Sequence, residues 1–143
     1  MSQAMPSMIF VNLAVDDLQR SRDFYSALGY GINDNFSDEN AICVVISDAI
    51  YAMLLKPDFF KTFTTKELID AQKSVQVLNA LDEPSRAEVD AHLDKAIAAG
   101  GTETRDAQDM GFMYSRAYAD PDGHIWEILW MDEQAAQEGP PAE

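Results

Sequence analysis

The chain has 143 residues, of which 47% are hydrophobic and 24% charged, a composition typical of one globular domain. The formal net charge of −15 argues against nucleic acid and anionic membranes as partners, because both require clustered lysine and arginine. No apolar run approaches the roughly 18 residues of a membrane span, and residues 1–7 lack the basic and apolar regions of a secretion signal, so a cytoplasmic protein is expected.

The first half of the chain predicts a strand, a helix and three further strands. Apolar residues alternate over residues 8–15, which is typical of a strand. Asp16-Asp17 offers an N-cap for a helix that ends at Gly29. The next three strands are predicted over residues 30–36, 41–47 and 50–55. The only cysteine, Cys43, lies in an apolar run and is expected to be a buried, unreactive thiol.

A connector over residues 57–73 interrupts this rhythm. It contains Phe59, Phe60 and Phe63, and residues 64–67 resemble the start of a helix. Two interpretations of the phenylalanines remain open: a small satellite core, or a lid over a pocket.

The second half repeats the first pattern. A strand is predicted from Ser74 to Leu81, with Gln76 on one of its faces. Ser85 and Glu88 form a capping box for a helix that ends at Gly100-Gly101. Further strands are predicted over residues 102–104, 112–119 and 124–131. Residues 132–143 are acidic, contain Gly-Pro-Pro and are predicted to be a disordered tail.

The two halves begin about 65 residues apart, a spacing that indicates duplicated modules. We therefore predict an α+β fold in which two βαβββ modules in tandem, about residues 8–56 and 74–131, form a curved mixed sheet around a central cleft. The helices would lie on the outer face, and the whole chain, residues 1–143, would be one domain. A small molecule is expected to bind in the cleft.

The segment Asp120-Pro121-Asp122-Gly123 predicts a hairpin turn, and the strand after it carries an unexplained acid, Glu127. As a three-residue type I turn with a glycine bulge, it pairs Asp120 with His124 and places Ala117 opposite Glu127. A four-residue loop would instead place Arg116 opposite Glu127, which would give the acid an ion-pair partner and a structural role.

The segment Ile9-Phe10-Val11-Asn12-Leu13-Ala14-Val15-Asp16-Asp17-Leu18, with Phe24-Tyr25 and Leu28-Gly29, resembles the first module of the vicinal oxygen chelate superfamily. This superfamily contains glyoxalase I, bleomycin- and fosfomycin-resistance proteins and extradiol dioxygenases. Residues 120–127 look like its closing hairpin, so the resemblance covers residues 8–131. Shorter motifs are similar to bacterial proteins described as predicted lactoylglutathione lyases: Phe59-Phe60-Lys61, Gly111-Phe112-Met113-Tyr114 and Trp130-Met131-Asp132. The resemblance also implies a homodimer.

In metal-using members, the ligands come from the first and last strands of each module. The resemblance places Glu127 at one of these four positions and Gln76 at a second, whereas the other two hold Phe10 and either Met53 or a neighbouring leucine. Catalytic divalent metals normally take three or more protein ligands. A divalent metal is therefore disfavoured, its only candidate ligands are Glu127 and Gln76, and no cofactor is expected.

Neither histidine is expected to supply a missing ligand. His124 lies three residues from Glu127 and points to the opposite face of the strand. His92 lies on the second helix among polar neighbours and is predicted to be solvated.

Three functions follow. The first is a binding protein for a small organic molecule. The second is a lactoylglutathione lyase-like enzyme in which Glu127 is the catalytic base for proton transfer α to a carbonyl. The third is a structural or partner-binding protein with Glu127 in an ion pair. The predicted ligand-binding residues are Phe10, Asn12, Met53, Phe60, Gln76, Met113 and Ser115.

Overall fold

In the computed structural model, which describes residues 4–141, the chain divides into two units; the first ends at Ile69 and the second begins at Asp70. Two expectations extend beyond the described residues: the lack of a secretion signal rests partly on residues 1–3, and the predicted tail includes residues 142–143. Among residues 4–141, no helix is long and apolar enough to cross a membrane.

The first unit is a βαβββ module. Its strands form one mixed sheet in the order β1-β4-β3-β2, in which β1 runs parallel to β4 and the other pairs are antiparallel. A single 3-10 turn, Asp34–Phe36, separates β2 from β3. The elements are β1 (Ile9–Ala14), α1 (Leu18–Ala27), β2 (Gly31–Ile32), β3 (Ala41–Val45) and β4 (Ile50–Leu55).

Helix α1 begins and ends where the sequence predicts. The Asp17 side chain accepts a hydrogen bond from the Arg20 amide at 3.0 Å, which satisfies one of the free N–H groups of the first turn. Gly29 follows the last turn with φ near +96°, a conformation that glycine adopts without strain. Phe24 and Tyr25 are buried and anchor the helix on its sheet. Cys43 on β3 is also buried, as predicted, and burial raises the pKa of its thiol.

The connector differs from its prediction. It consists of a short helix, α2 (Pro57–Phe60), a 3-10 turn (Lys61–Phe63) and irregular chain. The helix predicted to start at residues 64–67 is absent from this described segment, because the Thr64 hydroxyl accepts from the Lys66 amide in a local turn. Phe59 and Phe63 make an edge-to-face contact at 5.2 Å, but Phe63 is exposed, so the three phenylalanines do not form a closed satellite core. The interpretation as a lid stays a prediction.

The second unit repeats the βαβββ pattern, and the predicted α+β class with tandem modules is confirmed. Its strand order is β5-β9-β8-β6, with β5 parallel to β9, and the short β7 also pairs with β8. The elements are β5 (Asn79–Asp82), α3 (Arg86–Ala98), β6 (Thr102–Glu103), β7 (Gln108–Asp109), β8 (Met113–Ala119), β9 (Ile125–Met131) and α4 (Glu133–Glu138).

The strand predicted from Ser74 is wrong in its first half, since β5 begins only at Asn79. Val75, Val77 and Leu78 are exposed and unpaired with any described strand, although their alternation is strand-like. The reason is the position of the partner strand. Asn79 pairs with Trp126 near the start of β9, so residues before Asn79 run past the hairpin turn, where no ladder is available.

The prediction of a disordered tail is wrong for residues 132–138, which form the N-cap and the helix α4. Asp132 caps α4 by accepting from the Ala135 amide at 3.2 Å, and Ala135 is buried. Acidic composition alone does not prevent a helix when one apolar residue per turn can be buried.

Candidate functional site

The hairpin between β8 and β9 has the register predicted from the three-residue turn. The Asp120 carboxylate accepts from the amides of Asp122 and His124, and the Asp120 amide donates to the His124 carbonyl. Ala117 therefore pairs with Glu127. The alternative register, with Arg116 opposite Glu127, is wrong.

Gly123 is required at the end of this turn for two reasons. Its φ is near +97°, in the left-handed region that side chains rarely adopt. In addition, a Cβ at this position would lie 2.6 Å from the Ala71 carbonyl oxygen. The connector is held against the same turn by Gln72, whose side chain donates to the Pro121 carbonyl at 2.9 Å.

Strand pairing in the second unit sorts the side chains onto two faces. Residues that pair directly share a face, because successive side chains alternate. The face opposite α3, called here the Glu127 face, carries Ala80, Ser115, Ala117, Glu127 and Leu129. The α3 face carries Tyr114, Arg116, Tyr118, Trp126 and Ile128. Met113 and Ser115, two of the predicted ligand-binding residues, lie on alternate positions of β8 and thus on the same face as Glu127.

Glu127 has an ion-pair partner that the sequence did not indicate. The Arg105 Nη2 lies 3.2 Å from Glu127 Oε2 and donates to the Ser115 hydroxyl at 3.0 Å. The same guanidinium donates through Nη1 to the Asp106 carbonyl at 3.1 Å and the Ser115 carbonyl at 3.4 Å. The side chains of Arg105 and Glu127 are 26% and 27% exposed, so the pair is reached by solvent. Arg105, Ser115 and Glu127 form the candidate site.

A bulge in the sheet brings Arg105 to this face. Between β6 and β7 the chain advances five residues, Glu103 to Gln108, while β8 advances only three, Tyr118 to Ser115. The extra residues leave the regular ladder, and their side chains no longer follow its alternation. Beside the bulge lies an open depression of about 480 Å³. Its lining includes Arg105 but neither Ser115 nor Glu127, and consists otherwise of Glu103, Thr104, Asp106, Ala107, Tyr114 and Arg116.

The α3 face holds a second, tighter polar network. Arg116 makes two bonds of 2.9 Å to the Glu103 carboxylate and one of 2.9 Å to Asp90 on α3. The Tyr114 hydroxyl also donates to Asp90, at 2.7 Å. The hydrogen bond from Arg116 lowers the pKa of Glu103, and the bond from Tyr114, aided by Arg116, lowers the pKa of Asp90. The same contacts raise the pKa values of Arg116 and Tyr114. Arg116 is therefore a structural residue that ties α3 to its sheet.

Three of the four predicted residues of the first unit occupy one face of its sheet. Asn12 pairs with Met53, and Phe10 pairs and stacks with Tyr51 at a ring-centroid distance of 4.7 Å. Phe10 and Asn12 are exposed and Met53 is half-buried. Phe60, at the end of α2, is half-buried. Their part in ligand binding stays a prediction.

Gln76 does not lie on a strand as predicted, because it is exposed on irregular chain before β5. The two N-caps, Asp17 and Ser85, give a better alignment of the modules, since each side chain caps the helix that follows the first strand. That alignment matches Phe10 with Leu78 rather than with a glutamine. It also matches Asn12 with Ala80. Because Asn12 pairs with Met53 and Ala80 pairs with Glu127, the alignment matches Met53 with Glu127.

The predictions for the two histidines differ in how well they agree with the structure. His124 lies at the hairpin turn, where its amide donates to the Asp120 carboxylate. The prediction that His92 is solvated is wrong, because its side chain is only 9% exposed and its Nδ1 lies 2.8 Å from Glu83. Its ring is also 5.9 Å from the ring of Tyr118. Among residues 4–141, no group of three or more His, Cys, Asp or Glu side chains is placed to hold a metal ion.

Comparisons with known proteins agree with the module structure. The family model described as bleomycin resistance protein-like N-terminal matches residues 7–47. No curated protein matches the chain significantly.

Solved structures extend the likeness to most of the chain. A hypothetical protein, SA1046 from S. aureus, is 27% identical over 90% of this chain and 95% of its own, with a TM-score of 0.74. A glyoxalase-related enzyme from Fulvimarina pelagi is 22% identical over 88% of each chain, with a TM-score of 0.73. A glyoxalase/bleomycin resistance protein/dioxygenase family enzyme from Burkholderia phytofirmans PsJN is 17% identical over 90% of this chain and 99% of its own, with a TM-score of 0.74. The last two likenesses concern the fold alone.

Proposed function

We propose that the chain is a member of the vicinal oxygen chelate superfamily and that it binds a small organic molecule at the Glu127 face of its second unit. The observation that carries this proposal is the Arg105–Glu127 pair, which is only about one-quarter exposed yet still open to solvent. Ser115 adds a hydroxyl, and Ala117 and Leu129 add apolar surface on the same face. A few convergent polar groups among apolar ones are typical of small-molecule sites.

The donor set does not fit a chelated divalent metal. The four positions at which the superfamily resemblance places ligands hold Phe10, Met53, Leu78 and Glu127 when the modules are aligned by their N-caps. Only Glu127 offers an oxygen ligand, and its Oε2 is held by Arg105. Calcium, magnesium and zinc sites need several oxygen, nitrogen or thiolate ligands. The proposed function therefore involves no metal-assisted step.

Binding is tested by titrating a small-molecule library against the labelled protein and following the amide resonances of Ser115, Ala117 and Leu129. We expect library compounds that bind the site to shift these resonances. Glu127→Gln should lower their affinity by about tenfold, because a hydrogen bond to a charged group is lost. Glu39→Gln, the same charge change at an exposed turn of the first unit, is the control. Hits whose affinity is equal in wild type and Glu127→Gln would contradict the placement of the site.

A lactoylglutathione lyase-like reaction is a second candidate, favoured by one observation. The Arg105 guanidinium lies beside Glu127, so a developing enediolate would meet a positive charge where Glu127 removes the proton. The same contact opposes the reaction, because a base held in an ion pair must first release its partner. Turnover of a glutathione hemithioacetal, measured in wild type and Glu127→Gln, tests this candidate. Turnover that survives Glu127→Gln would remove Glu127 as the base.

Two further expectations belong to the proposal. Phe10, Asn12, Met53 and Phe60 of the first unit are expected to contribute to ligand binding, and Ala substitutions read out by the same titration test this. A homodimer is expected from the superfamily resemblance, and sedimentation equilibrium at several concentrations tests the assembly state.

A further inference from the structure

We propose that the Glu127 face recognises the zwitterionic head of an α-amino acid, whose carboxylate binds Arg105 and whose ammonium binds Glu127. This inference rests on the proposed small-molecule function and names the chemical class of its ligand. Its basis is the juxtaposition of a guanidinium and a carboxylate that are both partly exposed and weakly joined.

The bond between Arg105 and Glu127 can be replaced by a better one. It is a single contact of 3.2 Å, whereas charge-assisted N–H···O bonds are commonly about 2.7–2.9 Å and arginine prefers two parallel bonds to one carboxylate. The bonds from Arg105 to the Asp106 carbonyl and to Ser115 hold the guanidinium in place independently of Glu127. The Arg105 guanidinium is therefore already held in place, and its single bond to Glu127 is one that a ligand carboxylate can replace.

Glu127 can then accept a hydrogen bond from a cationic group of the ligand. Its side chain is 27% exposed, so a ligand ammonium can reach the carboxylate and form a charge-assisted bond with it. In an α-amino acid, covalent geometry holds the ammonium nitrogen within about 3 Å of a carboxylate oxygen. That separation is close to the present 3.2 Å between Arg105 Nη2 and Glu127 Oε2, so a ligand head that lies beside the pair meets both groups at once.

The charge of the chain selects a zwitterion over a simple anion. At a net charge of −15, an anionic ligand is repelled at long range, while a ligand with no net charge is not. Asp82, which pairs with Leu129 and shares its face, adds a further negative charge near the site. The apolar members of the Glu127 face, Ala80, Ala117 and Leu129, favour an apolar side chain on the amino acid.

The test is a titration with four matched probes, followed by calorimetry and by the amide resonances of the Glu127 face. The probes are phenylalanine, phenylalaninamide, which lacks the carboxylate, N-acetylphenylalanine, which lacks the ammonium, and 3-phenylpropionate. We expect phenylalanine to bind more tightly than each analogue by about tenfold or more, because each analogue loses a hydrogen bond to a charged group.

Variants of Arg105 test its contact with the ligand carboxylate. Arg105→Gln is expected to remove the preference for phenylalanine over phenylalaninamide, and Arg105→Lys to restore only part of it because lysine cannot bind a carboxylate bidentately. Arg22→Gln is the matched control, since Arg22 lies in an exposed pair with Asp34 in the first unit. Circular dichroism of each variant verifies folding before binding is measured, and the lysine variant serves if the glutamine variant unfolds.

The outcomes separate this inference from the function on which it rests. Equal binding of an analogue and phenylalanine, with the affinity still dependent on Glu127, overturns the zwitterion assignment and leaves the binding function in place. No shift of the Glu127-face resonances with any probe also overturns the assignment, whereas hits from the wider library would still support a binding function. If neither probes nor library bind there, both proposals fail.

Discussion

The second unit has an arginine among carboxylates on each face of its sheet, and the two arginines are held very differently. Arg116 on the α3 face makes three bonds of 2.9 Å to two acids and its side chain is 16% exposed. Arg105 on the Glu127 face reaches its acid by one contact of 3.2 Å and is 26% exposed. The residue types are the same, so the difference lies in the partners: Arg116 is held by two carboxylates and fixes a helix, whereas three of the four hydrogen bonds of Arg105 go to neutral oxygens and only one goes to an acid.

The local backbone explains why the arginines differ. Arg116 lies inside β8, where the ladder fixes its direction toward α3 and Asp90. Arg105 lies in the bulge between β6 and β7, outside regular pairing, and turns over the sheet edge to meet Ser115 and Glu127. Bulges commonly re-aim a side chain next to functional sites.

The largest effect is expected at the turn on which both faces depend. Gly123→Ala would force a side chain into the left-handed region and place its Cβ 2.6 Å from the Ala71 carbonyl oxygen. Backbone strain and overpacking together should lower the free energy of unfolding by about 3 kcal/mol. Urea unfolding monitored by tryptophan fluorescence measures this change.

Gly29→Ala is the control for that substitution. Gly29 has a similar φ of +96°, but a Cβ there would meet nothing within 4 Å. Its cost should be the backbone strain alone, about 1 kcal/mol. Equal losses in the two variants would show that the approach of Ala71 to the turn does not restrict position 123.

The second effect concerns the α3 face alone. Arg116→Gln leaves the Glu103 and Asp90 carboxylates without their cation, and we expect a loss of about 2 kcal/mol in the free energy of unfolding. The value lies below that for a fully buried pair because Asp90 is 48% exposed and screened by water. Chemical denaturation with an unchanged m-value tests this prediction. A loss no larger than that of Arg22→Gln would mean that the network does not stabilise the fold.

Acid provides a third, smaller perturbation of the same face. The pKa values of Glu103 and Asp90 are lowered from their ordinary values of 4.5 and 3.8, so their stabilisation is complete above about pH 4.5 and is lost as the pH falls through the lowered values. The stability of the wild type should decline in this range, and that of Arg116→Gln should decline less. Unfolding free energies measured at intervals from pH 5 to pH 3 provide the comparison. Parallel curves for the two proteins would exclude Arg116 as the source of the acid sensitivity.

The sequence was sufficient for features that local chemistry determines. The N-caps at Asp17 and Ser85 and the turn from Asp120 to Gly123 each determine their own geometry, and the turn correctly placed Ala117 opposite Glu127. These signals depend on neighbouring residues in the chain, so no tertiary information was required.

The features that were missed depend on distant partners. Residues 74–78 alternate like a strand but lie beyond the end of their partner β9, so Gln76 is not on a strand. His92 has polar neighbours in sequence, yet Glu83 and Tyr118 enclose it. Arg105 was missed because side-chain direction in a bulge does not follow alternation. Its one sequence signal was its place as a rare cation, among ten basic residues in the chain, just after a predicted strand.

The smallest expected effect on stability decides whether the two faces differ as described. Arg105→Gln removes one partly exposed contact of 3.2 Å, and the free energy of unfolding should fall by less than about 1 kcal/mol. A double-mutant cycle with Glu127→Gln isolates the pair, and we expect a coupling energy of about 0.5 kcal/mol. A coupling energy as large as the loss in Arg116→Gln would make Arg105 and Glu127 a structural pair, and the third function considered from the sequence would then be the correct one. A small coupling energy would instead leave the pair free to exchange its mutual contact for a ligand at little cost to the fold, as binding at the Glu127 face requires.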